Sequence, residues 1–288
     1  LAFLMLLVPA TALADETNVT DTTTAESFVC YGDDLNSEQF EKVMNLLGAD
    51  LSKDQLIKVT IDDEKALLGS IISADKIGSR SLSSARVTLT GEGTGISVTT
   101  QNINWVTSSM YSSALATAGV DNARIVVAAP VEVSGTAALA GILKAYESAA
   151  STQLSDEAKA VAGSEMVLTG DLADMIGSDD AVELLAMVKN AIAEYHLDDY
   201  DSLRPYVEQG AKQLGVQLTE DQIDQITKLG VQIAKLDLDP EKLAGQLNGL
   251  VDNIQKIQKV QQSAGSIFTN IKTAVQGFFN WIGSWFKR

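Results

Sequence analysis

The sequence predicts an α+β (or α/β) fold, in which a small N-terminal sheet is covered by helices and an all-helical C-terminal half follows. Strand and helix patterns are interspersed up to about residue 150, whereas only helical periodicity follows. An apolar seam with alternating steps of four and three residues then runs from Leu243 to Trp285, and this spacing places its members on one stripe of a long terminal helix.

The first 14 residues have the pattern of a secretory signal peptide remnant. An apolar run from Leu1 to Val8 precedes the Ala12-Leu13-Ala14 sequence, after which the chain becomes polar. The run is too short to span a bilayer as a helix. We therefore expect an extracellular or cell-surface protein with a flexible polar leader over residues 15–27.

Residues 28–150 are predicted to form the α/β domain. Asn36 is a suitable N-cap for a helix that stops at Gly48. The alternating residues 86–90 and 96–100 flank a glycine-rich segment, which predicts a β-hairpin. The other predicted elements are strands over 56–61 and 124–129 and helices over 62–69, 103–118 and 135–149.

Residues 151–240 are predicted to form an acidic helical domain, followed over 241–288 by a long amphipathic helix or helix pair. Two helix starts have clear signals, because Thr219 is followed by Gln222 in a capping box and Asp239 precedes Pro240. The helical segments are 156–162, 164–176, 179–196, 202–215, 220–236 and 240–286.

The charge distribution disfavours nucleic acid as a partner. The net charge is −17, which repels a phosphate backbone. Residues 253–288 differ from the rest, since they contain five basic residues and no acidic one. The aspartate clusters lack EF-hand spacing and lie where helices begin or end, so we interpret them as caps and expect neither metal nor cofactor.

Two single residues invite a chemical interpretation. Cys30 is the only cysteine and cannot form an internal disulfide, so we interpret it as a small semi-buried residue rather than a reactive thiol. His196 is the only histidine, and we interpret it as a favourable neighbour of the negative end of a helix. The catalytic residues, if the protein has any, are not identifiable, and a carboxylate pair for hydrolysis stays an alternative because such a pair forms only in space.

The junction at Ser134, Gly135 and Thr136 is the candidate ligand site. A buried strand ends there and a helix begins with small residues, whose free N–H groups are suited to an anion. The alternative is ordinary helix capping by Ser134. The glycine-rich 91–95 segment does not have nucleotide-binding spacing, and we interpret it as a turn.

Three stretches resemble a family of secreted Gram-positive bacterial proteins catalogued as domain of unknown function 1002. They are GDDLNSEQF (32–40), SLSSARVTLTGEGTGISV (81–98) and AGVDNARIVVAAPVEVSGTAALAGILKAYE (118–147). The resemblance implies a secreted or cell-surface protein with an N-terminal sheet-and-helix domain. It supplies no catalytic residues.

The C-terminal tail contains the predicted contact residues Phe278, Phe279, Trp281, Trp285 and Phe286. Three interpretations stay open for the helix: packing on the protein's own core, self-association as a coiled coil, and contact with a membrane surface or envelope component. We expect a secreted, envelope-associated binding or structural protein without catalysis. The alternative is an extracellular hydrolase acting on an envelope polymer through carboxylates.

Overall fold

The computed structural model describes residues 27–70 and 79–262 and shows the predicted α+β architecture. The strands are β1 (Ser27–Gly32), β2 (Gln55–Val59), β3 (Ser84–Leu89), β4 (Ile96–Ile103) and β5 (Ala123–Val133). The helices of the described part are α1 (Ser37–Leu47), α2 (Ile61–Leu68), α3 (Ser108–Thr117), α4 (Thr136–Ala150), α5 (Asp156–Ile176), α6 (Ser178–Tyr195), α7 (Tyr200–Leu214), α8 (Glu220–Ala234) and α9 (Pro240–Gln262).

The five strands form one mixed sheet in the order β2-β1-β3-β5-β4. The pairs β1–β2 and β4–β5 are parallel, and each is connected through a helix, which makes two βαβ units. Strand β3 lies between the two units and is antiparallel to β1 and to β5. The four strands other than β3 therefore run in the same direction. Their carboxyl ends lie at one end of the sheet, which we call the carboxyl edge, and their amino ends lie at the opposite end.

The predicted hairpin of residues 86–90 and 96–100 is wrong. Both strands form, but β5 lies between them and pairs with each. The 91–95 segment therefore connects two strands that are not neighbours. The alternating pattern predicts each strand correctly, but it contains no information about a third strand that arrives later in the chain.

Other boundaries also differ from the prediction. Strand β1 was not predicted, although it pairs with two neighbours. The helix expected over 103–118 begins only at Ser108, because Ile103 still belongs to β4. The segments 156–162 and 164–176 form one continuous helix, α5.

The predicted helix caps are confirmed where they are described. The side chain of Asn36 accepts a hydrogen bond from the N–H of Gln39, and Gly48 ends α1 in the left-handed region with φ of 62°. Thr219 and Gln222 form the expected capping box of α8. The carboxylate of Asp239 accepts from the first N–H groups of α9.

The sheet separates two apolar layers. Helix α1 covers one face with Val43, Met44 and Leu47. Helices α3 and α4 cover the other face, and this main core continues into α5, α6 and α9. A second cluster packs α6 against α7 and α8. The two halves thus share one apolar core, and the predicted domain boundaries at residues 150 and 240 stay predictions.

The first part of the C-terminal seam is covered by the protein itself. Leu243, Leu247 and Ile254 on α9 are buried, and Leu250 is half-buried against the main core. From Leu243 to Ile254 the seam is therefore core. The predicted contact residues Phe278, Phe279, Trp281, Trp285 and Phe286 lie outside the described residues. None of the helices in the described residues combines the length and the hydropathy that spanning a bilayer requires.

Candidate functional site

The predicted anion site lies at the carboxyl edge of the sheet, where β5 leads into α4. Gly135 and Thr136 are buried and Ser134 is half-buried. The hydroxyl of Tyr111 donates a hydrogen bond to the carbonyl of Gly135. A Cβ atom added at Gly135 would lie 2.5 Å from Ile103 Cγ2. The three predicted residues are therefore together, but closely surrounded by the protein's own side chains.

A carboxyl group of the protein already lies at this helix start. The hydroxyl of Thr136 donates a hydrogen bond to Glu64 of α2, whose side chain is fully buried. Burial raises the pKa of Glu64 to about 7, against the effect of that hydrogen bond, which lowers it. When Glu64 is ionised, a bound anion would meet a like charge at short range.

The alternative of capping by Ser134 is wrong, because Gly135 is the N-cap residue and α4 has no side-chain cap. The hydroxyl of Ser134 instead pairs with that of Thr136 at 3.2 Å. The anion site stays a prediction. The observed geometry gives better support to a ligand site at a second location, which lies at the opposite end of β5.

A buried polar cluster joins α3, α5 and α6. The ammonium of Lys189 donates to Glu165 Oε1 at 2.7 Å and to Ser113 Oγ at 2.8 Å, and the hydroxyl of Thr117 donates to the other carboxylate oxygen. Burial lowers the pKa of Lys189, whereas the negative charge of Glu165 raises it. The four residues are at most 1% exposed, so the cluster has no access for a substrate and acts in packing.

The structure places both single residues in structural positions, and Cys30 is more deeply buried than the semi-buried residue that the sequence predicts. Cys30 is fully buried and donates to the carbonyl of Ala85, and burial raises the pKa of its thiol to about 12. Such a thiol carries little thiolate at neutral pH and is a poor nucleophile. His196 is the C-cap of α6, at the negative end of that helix.

The candidate functional site is an open groove of about 390 Å³ at the amino ends of β4 and β5. One wall is the loop from Glu92 to Gly95, and the other is the face of α9 from Lys242 to Leu250. Between them lies the end of the loop that joins α3 to β5, with Asp121 and Asn122. Ile96 and Leu250 add apolar surface. We call this feature the glycine groove.

The first wall is held in place by Asn122. Its side-chain oxygen accepts a hydrogen bond from the N–H of Gly95 at 2.9 Å, and its carbonyl accepts from the N–H of Thr90. Within the loop, the hydroxyl of Thr94 donates to the carbonyl of Gly91. These bonds fix the loop although its tip is exposed, so the groove is preformed on this side.

The second wall is held by the same connecting loop. The ammonium of Lys242 pairs with Asp121 at 2.9 Å, and the side-chain amide of Gln246 donates to the carbonyl of Val120 at 3.0 Å. The hydrogen bond with Asp121 raises the pKa of Lys242, so this residue stays cationic at neutral pH. Both walls are therefore anchored to residues 120–122, and their separation is defined.

Two of the four glycines that line the groove, Gly245 and Gly249, are unusual among the described glycines. Elsewhere in residues 27–70 and 79–262, each glycine has a positive φ or would place a Cβ within 3.2 Å of a neighbour. Only Gly91, Gly245 and Gly249 have neither constraint. Gly245 and Gly249 lie one turn apart in α9, where glycine costs about 1 kcal/mol relative to alanine. No packing contact among the described residues explains them, whereas an open groove beside the helix does.

The groove combines apolar surface from Ile96 and Leu250 with several hydrogen-bonding groups. Asp121 and Lys242 supply opposite charges, and Glu92 adds an exposed carboxylate. None of the described residues that line the groove is aromatic. Its volume lies within the range of small-ligand sites. The arrangement is suited to binding a small or narrow polar ligand.

Sequence reasoning missed this site because its three parts lie far apart in the chain. The sequence did contain a signal, since Gly245 and Gly249 interrupt an otherwise regular amphipathic helix. Among the described residues, no group of three or more His, Cys, Asp or Glu side chains is arranged to hold a metal ion.

Comparisons with known proteins identify relatives but no activity. The family model described as "Protein of unknown function (DUF1002)" matches residues 31–250. The chain is 34% identical over 285 residues to "Uncharacterized protein YpuA" of Bacillus subtilis (strain 168), and the similarity covers 96% of each chain. No solved structure matches the chain.

Proposed function

Because this chain belongs to the DUF1002 family, whose description assigns no activity, we propose a function from the geometry: an exported, envelope-associated binding protein without catalysis. The glycine groove is its ligand site. Two features support the proposal: the export signal expected from residues 1–14 and the preformed groove. The aromatic tail is then a second point of contact with the envelope.

The two unconstrained helix glycines are the observation that carries the proposal. Gly245 and Gly249 leave two positions of the α9 wall without a side chain, beside the side chains of Lys242, Gln246 and Leu250, and they do so at the expense of helix stability. The opposite wall also contains glycines, Gly93 and Gly95, whose positive φ values define the loop. A ligand in the groove would therefore reach main chain at the glycine positions of both walls, beside the side chains that line the rest of each wall.

Four acids of the first domain are paired or covered, which supports binding more than hydrolysis. Asp54 is bound by two nitrogens of Arg86, and Asp63 pairs with Lys144. Glu64, whose pKa is raised to about 7 by burial, is fully covered. A general acid must reach the bond that it protonates, and a buried carboxyl does not. Within the groove, Asp121 is engaged by Lys242.

Sedimentation with purified Bacillus subtilis cell walls tests the proposal. We expect the wild-type chain to pellet with the walls and the Gly245→Leu/Gly249→Leu variant to stay in the supernatant. Each leucine enters space with no atom within 4 Å of the new Cβ, so the fold is preserved while the groove is filled. Asn248→Leu is the matched control, because Asn248 is exposed on the same helix but does not line the groove.

Two results would contradict the proposal. Equal pelleting of wild type and double variant would remove the groove as the binding site. Release of soluble wall fragments by the wild type, lost in Glu92→Gln, would establish the alternative, an extracellular hydrolase that acts through a groove carboxylate. Circular dichroism of each variant verifies that its fold is retained.

We further propose that the tail assists envelope contact. Its five aromatic residues lie within nine positions, followed by Lys287 and Arg288. Aromatic amphipathic helices with basic ends bind lipid interfaces, and each basic residue adds about 1 kcal/mol near anionic lipid. We expect the full chain to sediment with phosphatidylglycerol vesicles and Trp281→Ala/Trp285→Ala to sediment less. If the full chain and the variant sediment equally with the vesicles, the tail does not contribute to lipid binding. The remaining interpretations of the tail are then packing on the protein's own core and self-association.

A further inference from the structure

We propose that the ligand of the glycine groove is a short extended peptide with small side chains and a free amino group. This inference rests on the proposed binding function and names its ligand class. It follows from the length of the groove, the main chain exposed at the glycines of its walls and the charges at its rim.

The length of the groove matches about four residues of extended chain. The α9 wall runs from Lys242 to Leu250, which is about 12 Å at 1.5 Å per residue. An extended peptide advances about 3.3 Å per residue. Four residues therefore fill the wall, and a longer peptide continues past its ends into solvent.

The width of the groove favours small side chains. Gly245 and Gly249 present helix backbone on one side, and Gly93 and Gly95 present loop backbone on the other. A chain lying between these walls approaches the main chain at the glycine positions, whereas side chains line the rest of both walls and leave less room for bulky side chains of a ligand. Amide groups of the ligand are matched by Asn122, whose Nδ2 group has no partner among the described residues.

The charge of the rim favours an amino group. Glu92 is an exposed carboxylate, and Asp121 keeps a side chain that is 34% exposed beside Lys242. With one cation against two anions, the rim is net negative, and it belongs to a protein of net charge −17. A cationic end is attracted and a phosphate polymer is repelled.

A neutral glycan fits the groove less well. Sugar rings are usually bound against aromatic side chains, which the described lining residues of the groove do not include. The polar groups of the rim are amides, carboxylates, a hydroxyl and the ammonium of Lys242, and such groups pair readily with peptide N–H and C=O groups. A peptide is therefore the ligand class that the shape, the polarity and the charge of the groove all favour.

Calorimetric titration of the full-length chain with the tetrapeptide Ala-Gly-Ala-Gly, amidated at its carboxyl end, tests the inference. We expect saturable binding that weakens about tenfold when the peptide amine is acetylated, since a charge-assisted hydrogen bond is then lost. Glu92→Gln is expected to weaken binding of the free amine and to leave the acetylated peptide unaffected. Chito-oligosaccharide and polyglycerol phosphate are expected not to bind.

The variants separate this inference from the proposed function. Gly249→Leu should abolish peptide binding, and Asn248→Leu should preserve it. Absence of tetrapeptide binding, or equal binding of free and acetylated peptides, would overturn the ligand class. If cell walls still bind through the groove in that case, the proposed function stands and the inference alone fails. Preferential binding of either polymer would assign the groove to that polymer instead.

Discussion

Lys189 of α6 and Glu165 of α5 form an ion pair of 2.7 Å in which each side chain is 1% exposed. The pair also contacts Ser113 and Thr117 of α3, so it joins the helix that covers the sheet to the helical half of the chain. Burying two charges is costly, and the hydrogen bonds to hydroxyl groups offset part of that cost.

Lys189→Met should destabilise the protein by about 3–5 kcal/mol, because the variant leaves the carboxylate of Glu165 buried without its cation. Urea unfolding measures the loss. The double variant Lys189→Met/Glu165→Met should recover most of it, since no buried charge remains. For comparison, Lys53→Ala breaks an exposed pair with Asp50 and should cost less than about 1 kcal/mol. Equal costs for the two single variants would contradict the role of burial.

Glu64→Gln should make the protein more stable at alkaline pH. The pKa of Glu64 rises from 4.5 to about 7 on folding because of burial. Between these values the folded state binds more protons than the unfolded state, so wild-type stability falls as pH rises from about 4.5 to about 7. At about 1.4 kcal/mol per pKa unit, the variant should gain roughly 1–3 kcal/mol at pH 8 and little at pH 4.5.

Urea midpoints at the two pH values measure this difference. Glu132→Gln serves as the control, because Glu132 is exposed. Glu183 contributes a similar pH dependence in every variant, since burial together with Asp180 and Asp179 raises its pKa to about 7. A Glu64→Gln gain of the same size at pH 4.5 and pH 8 would show that protonation is not the cause.

Gly249→Ala should stabilise the protein, by up to about 1 kcal/mol, because alanine has the higher helix propensity and the new Cβ enters empty space. Gly170→Ala is the informative contrast. Its Cβ would lie 2.3 Å from the ring of Trp105, so this helix glycine is required by packing and its replacement should destabilise. Thermal unfolding distinguishes the two, and a loss of stability in Gly249→Ala would remove the argument that this glycine serves the groove.

Leu247→Ala should cost about 2–5 kcal/mol, because Leu247 is fully buried and its truncation leaves a cavity. Leu56→Ala is the matched control, since Leu56 is 46% exposed, and we expect a change within about 0.5 kcal/mol. Urea midpoints provide the comparison. Similar midpoints for the two variants would mean that α9 does not pack on the body as described.

Several local features of this protein can be predicted from the residue types and their spacing along the chain. The N-caps at Asn36, Thr219 and Asp239 and the helix stop at Gly48 all appear as predicted. Each depends on contacts within about four residues, so residue type and spacing are sufficient to specify it. The apolar seam of α9 is predicted for the same reason, because helical periodicity is a local property.

The tertiary structure decided which distant segments meet. The insertion of β5 between β3 and β4, the contact of Glu64 with Thr136 and the glycine groove all join residues that lie tens of positions or more apart. Such pairings depend on the total free energy of packing and on chain connectivity, and no short pattern specifies them. The glycines of α9 show this limit: in the sequence they only weaken a helix, and in the fold they form part of one wall of a groove.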